Sequence, residues 1–172
     1  MTRIANSTLL LAASVSLAGV FLAPSSPAQA APTYFQLHNA YNGKCVDADK
    51  NMLAHNGTRL QLWDCHTGDN QLWYADGETI RNKASGRCLD SDTQTSAWPG
   101  TRVRLWDCSG AAQQQWQTEM VDGERIMLVS VATGRVLDAD RNVLFQNGTE
   151  VQTWGDWHTS EDLNQQWFVT VS

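Results

Sequence analysis

One phrase is written three times in this chain, and it constrains the fold more than any local propensity does. The first copy runs Cys45-Val46-Asp47, Asn56-Gly57-Thr58, Leu60-Gln61-Leu62-Trp63-Asp64-Cys65, Asn70-Gln71-Leu72-Trp73. The second runs Cys88-Leu89-Asp90, Pro99-Gly100-Thr101, Val103-Arg104-Leu105-Trp106-Asp107-Cys108, Gln113-Gln114-Gln115-Trp116. The third runs Val136-Leu137-Asp138, Asn147-Gly148-Thr149, Val151-Gln152-Thr153-Trp154-Gly155-Asp156, Asn164-Gln165-Gln166-Trp167. Within every copy, 10 residues separate Asp from Gly and 6 separate Gly from Trp. Between copies the offset at that Trp is 106−63 = 43 and then 154−106 = 48. Constant internal spacing across unequal offsets marks a rigid unit that was copied while its connections drifted.

Gly, Asn and Asp recur every few residues and the apolar runs are short, which is the pattern of many short strands joined by turns. Strands are expected near Tyr34–Leu37, Cys45–Ala48, Leu60–Trp63 and Leu72–Ala75 in the first repeat. Their counterparts lie near Thr79–Arg81, Cys88–Asp90, Arg102–Trp106 and Gln115–Thr118, then near Arg125–Ser130, Val136–Ala139, Glu150–Trp154 and Gln166–Val171. One such unit has too little apolar surface to be stable alone. Closing three around an axis buries a shared core and removes most sheet edges. Asp76-Gly77 and Asp122-Gly123 are turn dipeptides at the repeat junctions, giving repeats near 34–77, 78–123 and 124–172. The third repeat carries the insertions, including Trp157-His158-Thr159-Ser160-Glu161-Asp162 between two motif positions.

Residues 1–30 read as a secretory signal peptide. Arg3 supplies the charge, Thr8 to Ala23 is apolar or small, and Ala28-Gln29-Ala30 is the cleavage signature. Residues 31–172 then form one domain, large enough for a real core. A net charge of −6 without a basic patch argues against nucleic acid as a partner. No later stretch is apolar enough to insert in a membrane. In an exported chain, four cysteines imply disulfides. The repeat favours Cys45 with Cys65 and Cys88 with Cys108, each pair 20 residues apart. Closing such a loop stabilises by roughly 3 kcal/mol through the unfolded state. No Cys-x2-Cys pair is present to suggest zinc. The third repeat has Val136 and Asp156 at the cysteine positions and must close by packing alone.

Side chains alternate across a strand. Leu60 and Leu62 therefore share the core face, while Gln61 and Trp63 share the other. The same holds for Val103 and Leu105 against Arg104 and Trp106, and for Val151 and Thr153 against Gln152 and Trp154. An exposed Trp beside an amide offers a flat aromatic surface to a sugar ring, with polar groups for its hydroxyls. A Trp folded over a neighbouring strand is the alternative at any one position; three at one register favour binding. Asp47, Asp90 and Asp138, always 16 residues before that Trp, supply a carboxylate for the same ligand. Trp73, Trp116 and Trp167 are instead expected in the core with each N–H on a buried acceptor. Asn70, Gln113 and Asn164 are expected at the mouth of the closing strand. Asn56-Gly57 and Asn147-Gly148 are read first as turns, because Pro99-Gly100 keeps the turn without the sequon. The four His do not recur at one register and no catalytic motif appears.

These motifs resemble the ricin-B-type lectins, here of the secreted bacterial kind, whose repeats carry the Gln-x-Trp signature. The resemblance covers essentially Tyr34–Val171. It implies an all-β chain with the β-trefoil fold and up to three shallow sugar sites, for galactose-, lactose- or xylan-type glycans. It places the first site on Asp47, Gln61, Trp63, Asn70 and Gln71, and another on Asp138, Gln152, Trp154, Asn164 and Gln165. The second repeat keeps Asp90, Trp106 and Gln114 but has Arg104 for Gln and Gln113 for Asn, which puts that site in doubt. The expectation is a secreted, monomeric carbohydrate-binding protein, with no catalytic residues, cofactor or metal, acting on glycans or polysaccharides. The rivals are a protein-binding trefoil, such as a protease inhibitor or toxin subunit acting through residues 157–162, and a hydrolase using a carboxylate pair.

Overall fold

A computed structural model describes residues 31–92, 98–155 and 161–172. The expected signal peptide and residues 157–160 of the inserted segment lie outside the described residues. Residues 31–172 form one compact unit.

Twelve strands follow one another: β1 Phe35–Asn39, β2 Cys45–Ala48, β3 Thr58–Trp63, β4 Trp73–Asp76, β5 Thr79–Asn82, β6 Cys88–Ser91, β7 Thr101–Trp106, β8 Trp116–Met120, β9 Arg125–Ser130, β10 Val136–Ala139, β11 Thr149–Trp154 and β12 Trp167–Val171. Each expected strand is present within a residue or two of its expected ends. Missing from the expectation are three single 3-10 turns, Asp69–Gln71, Ala112–Gln114 and Leu163–Gln165, just before the closing strand of each repeat.

The pairings divide the strands into two layers. The outer strands of the repeats close a six-stranded barrel: β1 pairs β4, β4 pairs β5, β8 pairs β9, β9 pairs β12 and β12 pairs β1. A bridge between Thr79 and Gln115 completes the ring between β5 and β8. The inner strands form three hairpins, β2 with β3, β6 with β7 and β10 with β11. Those hairpins cap one end of the barrel because β3, β7 and β11 pair with one another around the axis. This barrel with its triangular cap is the β-trefoil.

The core repeats in threes. Leu37, Ile80 and Leu128 are one set of equivalent positions, Val46, Leu89 and Leu137 another, and Leu60, Val103 and Val151 a third, all buried in one cluster. The closing-strand tryptophans are inside as expected. Trp73 Nε1 donates to the Val46 carbonyl at 3.2 Å, Trp116 to Leu89 at 3.0 Å and Trp167 to Leu137 at 3.2 Å. Each therefore ties the barrel to the β2-type strand of its own repeat while satisfying its only polar atom.

The two disulfides pair as the spacing indicated, Cys45 with Cys65 and Cys88 with Cys108, which is consistent with an extracellular protein. The junctions between repeats carry a feature the turn reading did not foresee. Asn147 Oδ1 accepts from the Asp64 backbone N–H at 3.0 Å and from Lys44 Nζ at 2.8 Å, and its amide donates back to Asp64. Asn56 repeats this against Asp107 and Arg87. Each Asn thus joins its loop to the end of the next repeat's exposed-Trp strand. The glycine at this turn has positive φ in every repeat; in the second, where it follows Pro99, a Cβ on Gly100 at φ +88° would stand 3.3 Å from Trp154 Cζ3.

Candidate functional site

On β2 and β3, Asp47 lies opposite Gln61 and Cys45 opposite Trp63. Register therefore places the carboxylate, the amide and the indole on one patch of the cap. Asp47 is only 3% exposed. Its Oδ1 accepts from Gln61 Nε2 at 3.2 Å. Its Oδ2 accepts from Asn70 Nδ2 at 2.7 Å and from Gln71 Nε2 at 2.8 Å. A carboxylate offers about four lone-pair directions. Three are used, and the remaining one lies on Oδ1. Trp63 stands beside it, 38% exposed. Asp47, Gln61, Trp63 and Asn70, with His66 and residues 49–51, line a cavity of about 290 Å³.

The third repeat builds the same arrangement. Gln152 Nε2 reaches Asp138 Oδ1 at 2.9 Å, while Asn164 and Gln165 reach Oδ2 at 2.8 and 2.9 Å. With Trp154, Asp140, Arg141 and Asn142, these groups line a cavity of about 390 Å³. Burial pushes the Asp138 carboxyl up to about 6, against the downward pull of the Gln152 and Gln165 amides.

Asn70 and Asn164, expected at the strand mouth, and Gln71 and Gln165, which the resemblance assigned to the sugar, are all buried against the Asp. The 3-10 turn directs two successive side chains inward at one carboxylate. Asn70 Nδ2 also donates to the Ala48 carbonyl and Gln71 Nε2 to the Asp64 carbonyl. Asn164 and Gln165 do the same to Ala139 and Gly155. All four are buried, with their amide donors already directed at protein acceptors.

The second repeat differs where its sequence does. Gln114 holds Asp90 Oδ2 at 3.0 Å as Gln71 holds Asp47, but Gln113 is half-buried and makes no bond to Asp90. Arg104 Nε reaches Asp90 Oδ1 at 3.2 Å and Nη1 reaches Asp92 Oδ2 at 2.7 Å. Its guanidinium carbon lies 4.1 Å over the Trp106 ring. Burial raises the Asp90 carboxyl, with Gln114 and Arg104 acting against it.

Sequence reasoning left out His66, whose Nε2 lies 3.6 Å from Asp47 Oδ2. It also left out the loop after β2 and β10. There Asn51 and Asn142 each donate backbone and side-chain N–H to Asp49 and Asp140, shaping the rims of the two cavities. The signal was present as Asp-x-Asn at the same register in repeats one and three. For metals, the one close group of ligand-type residues among those described is His38 with Cys45 and Cys65. Both sulfurs are bonded to each other, so neither is a thiolate ligand.

Comparison with known proteins gives the same pattern. The family model of the ricin-type β-trefoil lectin domain matches residues 33–167. A designed threefold-symmetric protein, ThreeFoil, is 25% identical over 80% of this chain and 97% of its own, with a TM-score of 0.71. The C-half of an earthworm R-type lectin, solved in complex with GalNAc, is 20% identical over 82% of this chain and 100% of its own, at 0.63. The Macrolepiota procera ricin B-like lectin, solved in complex with lactose, is 20% identical over 82% and 96%, at 0.65. The structural likenesses speak to the fold, and the family match extends over most of the sequence. The chain belongs to the family of ricin-type β-trefoil lectin domains.

Proposed function

We propose that residues 31–172 act as a secreted lectin, exported by the segment 1–30, which binds galactose-, lactose- or xylan-type glycans through its first and third repeats. One observation carries this reading: a buried carboxylate held by three amides, with an open Trp beside it, is built twice at the same register. The apolar face of a sugar ring stacks on Trp63 or Trp154. A ring hydroxyl donates to the open lone pair of Asp47 or Asp138, and the Gln61 or Gln152 amide meets a neighbouring hydroxyl. Asn70, Gln71, Asn164 and Gln165 act as positioning residues, since they fix the carboxylate. The relatives solved with GalNAc and with lactose support sugars of that class. Shallow single sites bind weakly, and two on one rigid body gain by avidity on a polymer. The reading is of a monomer that binds without turnover.

A glycan array probed with residues 31–172, folded and oxidised, tests the reading. Binding to galactose- or xylose-containing glycans is expected; a blank array overturns it in favour of a protein partner. The third site also carries a pH signature. Its carboxylate must be ionised to accept the sugar hydroxyl without an added proton between them. With Asp138 held near 6, affinity at that site is full above neutral pH and falls as the pH drops through 6. The loss reaches about tenfold at pH 5. Titration followed at the Trp154 indole checks this, and a flat affinity from pH 5 to 7.5 would exclude Asp138 as the acceptor.

A further inference from the structure

Three pseudo-equivalent positions face Asp47, Asp90 and Asp138 across their hairpins: Gln61, Arg104 and Gln152. The two glutamines end at the carboxylate, and no cation lies over Trp63 or Trp154 among the described residues. Arg104 makes the same first bond, with its Nε where the others have Nε2, but its side chain continues. The guanidinium carbon lies over the Trp106 ring, 4.1 Å from its centroid, close to the separation at which a stacked ring would sit, and its far end is anchored on Asp92. We propose that Arg104 is a built-in occupant of the second sugar pocket: it covers the Trp106 platform and sets a cation against Asp90 where the other repeats have a neutral amide, which closes that pocket and leaves the chain bivalent.

Three features support occupancy over a loosely lying side chain. Asp90 is 1% exposed and Asp92 5%, so both carboxylates depend on protein partners in place of water. Arg is suited to that role, because its planar fork bonds two carboxylates while its face stacks on an indole. The charge is particular to the second repeat: at the register of Arg104 the first and third repeats have the neutral Gln61 and Gln152, while Asp49 and Asp140 accept from Asn51 and Asn142. A sugar entering the second pocket would have to displace a cation from a buried carboxylate and from an aromatic face together. A shallow sugar site does not return enough free energy for that exchange.

The proposal rests on the lectin reading for its consequence, while its structural half stands apart, and NMR of the labelled, oxidised protein separates them. Without sugar, the Arg104 side-chain protons should be shifted upfield by the Trp106 ring relative to those of the exposed Arg102. Shifts that coincide with Arg102 overturn the proposal whatever the protein binds. With lactose, and separately with xylobiose, the Trp63 and Trp154 indole signals should move while Trp106 stays still. In Arg104→Gln, and in Arg104→Gln combined with Gln113→Asn, the Trp106 signal should move as well, raising the sites from two to three. A Trp106 signal that responds in the unaltered chain, or stays still in both folded variants, overturns the closure. Should those variants not fold, Gln61→Arg places the same side chain in the first pocket. It should weaken the Trp63 response at least tenfold, and an unchanged response overturns the proposal. If no indole responds to either sugar, the lectin reading for those sugars fails, while the sugar-free contact still decides whether Arg104 fills the pocket.

Discussion

Replacing Trp63 and Trp154 together by Ala removes retention on a polymeric glycan and leaves the domain folded. Both rings lie on the face of β3 and β11 opposite the core, and neither belongs to the buried cluster. Their loss therefore costs little packing, within about 1 kcal/mol by the usual behaviour of surface positions. Their stacking contribution is larger. Covering an aromatic or large aliphatic face is worth about 1.5–3 kcal/mol, which is roughly tenfold to a hundredfold in affinity per site. With both platforms gone, the gain from two linked sites is lost too. Affinity electrophoresis in polysaccharide, with urea unfolding alongside, measures the two effects separately. Retention equal to that of the unaltered chain would remove these tryptophans from the site.

Trp167→Ala acts in the opposite sense. It should lower unfolding stability by about 3–5 kcal/mol, the usual cost of truncating a buried large aromatic. Trp167 is fully buried. It opens β12, which pairs with both β1 and β9 and so closes the barrel. Its removal also strips the Leu137 carbonyl of the indole N–H. Two repeats have a disulfide to limit the damage of such a loss, and the third has none among the described residues. The midpoint of urea unfolding is the readout. A change below about 1 kcal/mol would show that the third core Trp does not hold the barrel as its burial indicates. Together the two experiments test one claim, that tryptophans at two registers of the same repeat have separate duties.

That separation was legible in the sequence. Alternation along Leu60–Trp63 assigns Trp63 to the face opposite the leucines, and the same register recurs in β7 and β11. The Gln-x-Trp tryptophans belong to another strand and turn inward. The disulfide pairs were legible for a similar reason: equal spacing in two copies selects one pairing among three. Strand number and order followed from short apolar runs between turn residues.

The hydrogen bonds around each Asp were not legible. The family resemblance makes Asn70 and Gln71 ligand groups, with Asn70 at the mouth of the closing strand. A single 3-10 turn instead places both against Asp47, 23 and 24 residues away in the chain. Asn56 and Asn147 were read as turn formers, yet their side chains also bind the next repeat. In both cases the polarity was visible while the direction of the amide was not. That direction depends on how an irregular turn sits against a distant strand.

By itself, then, the sequence determined what depends on period and repetition: three units, four strands in each, the core face, the exposed-Trp register and the cysteine pairs. Only the tertiary structure decided which groups meet across those units. It placed three amides on one carboxylate twice, and in the second repeat it laid Arg104 across Trp106 with its end on Asp92. Periodicity records which side of a strand a residue faces, because that depends on its neighbours alone. The length and aim of a polar side chain acquire meaning only when the residue at its far end is in place.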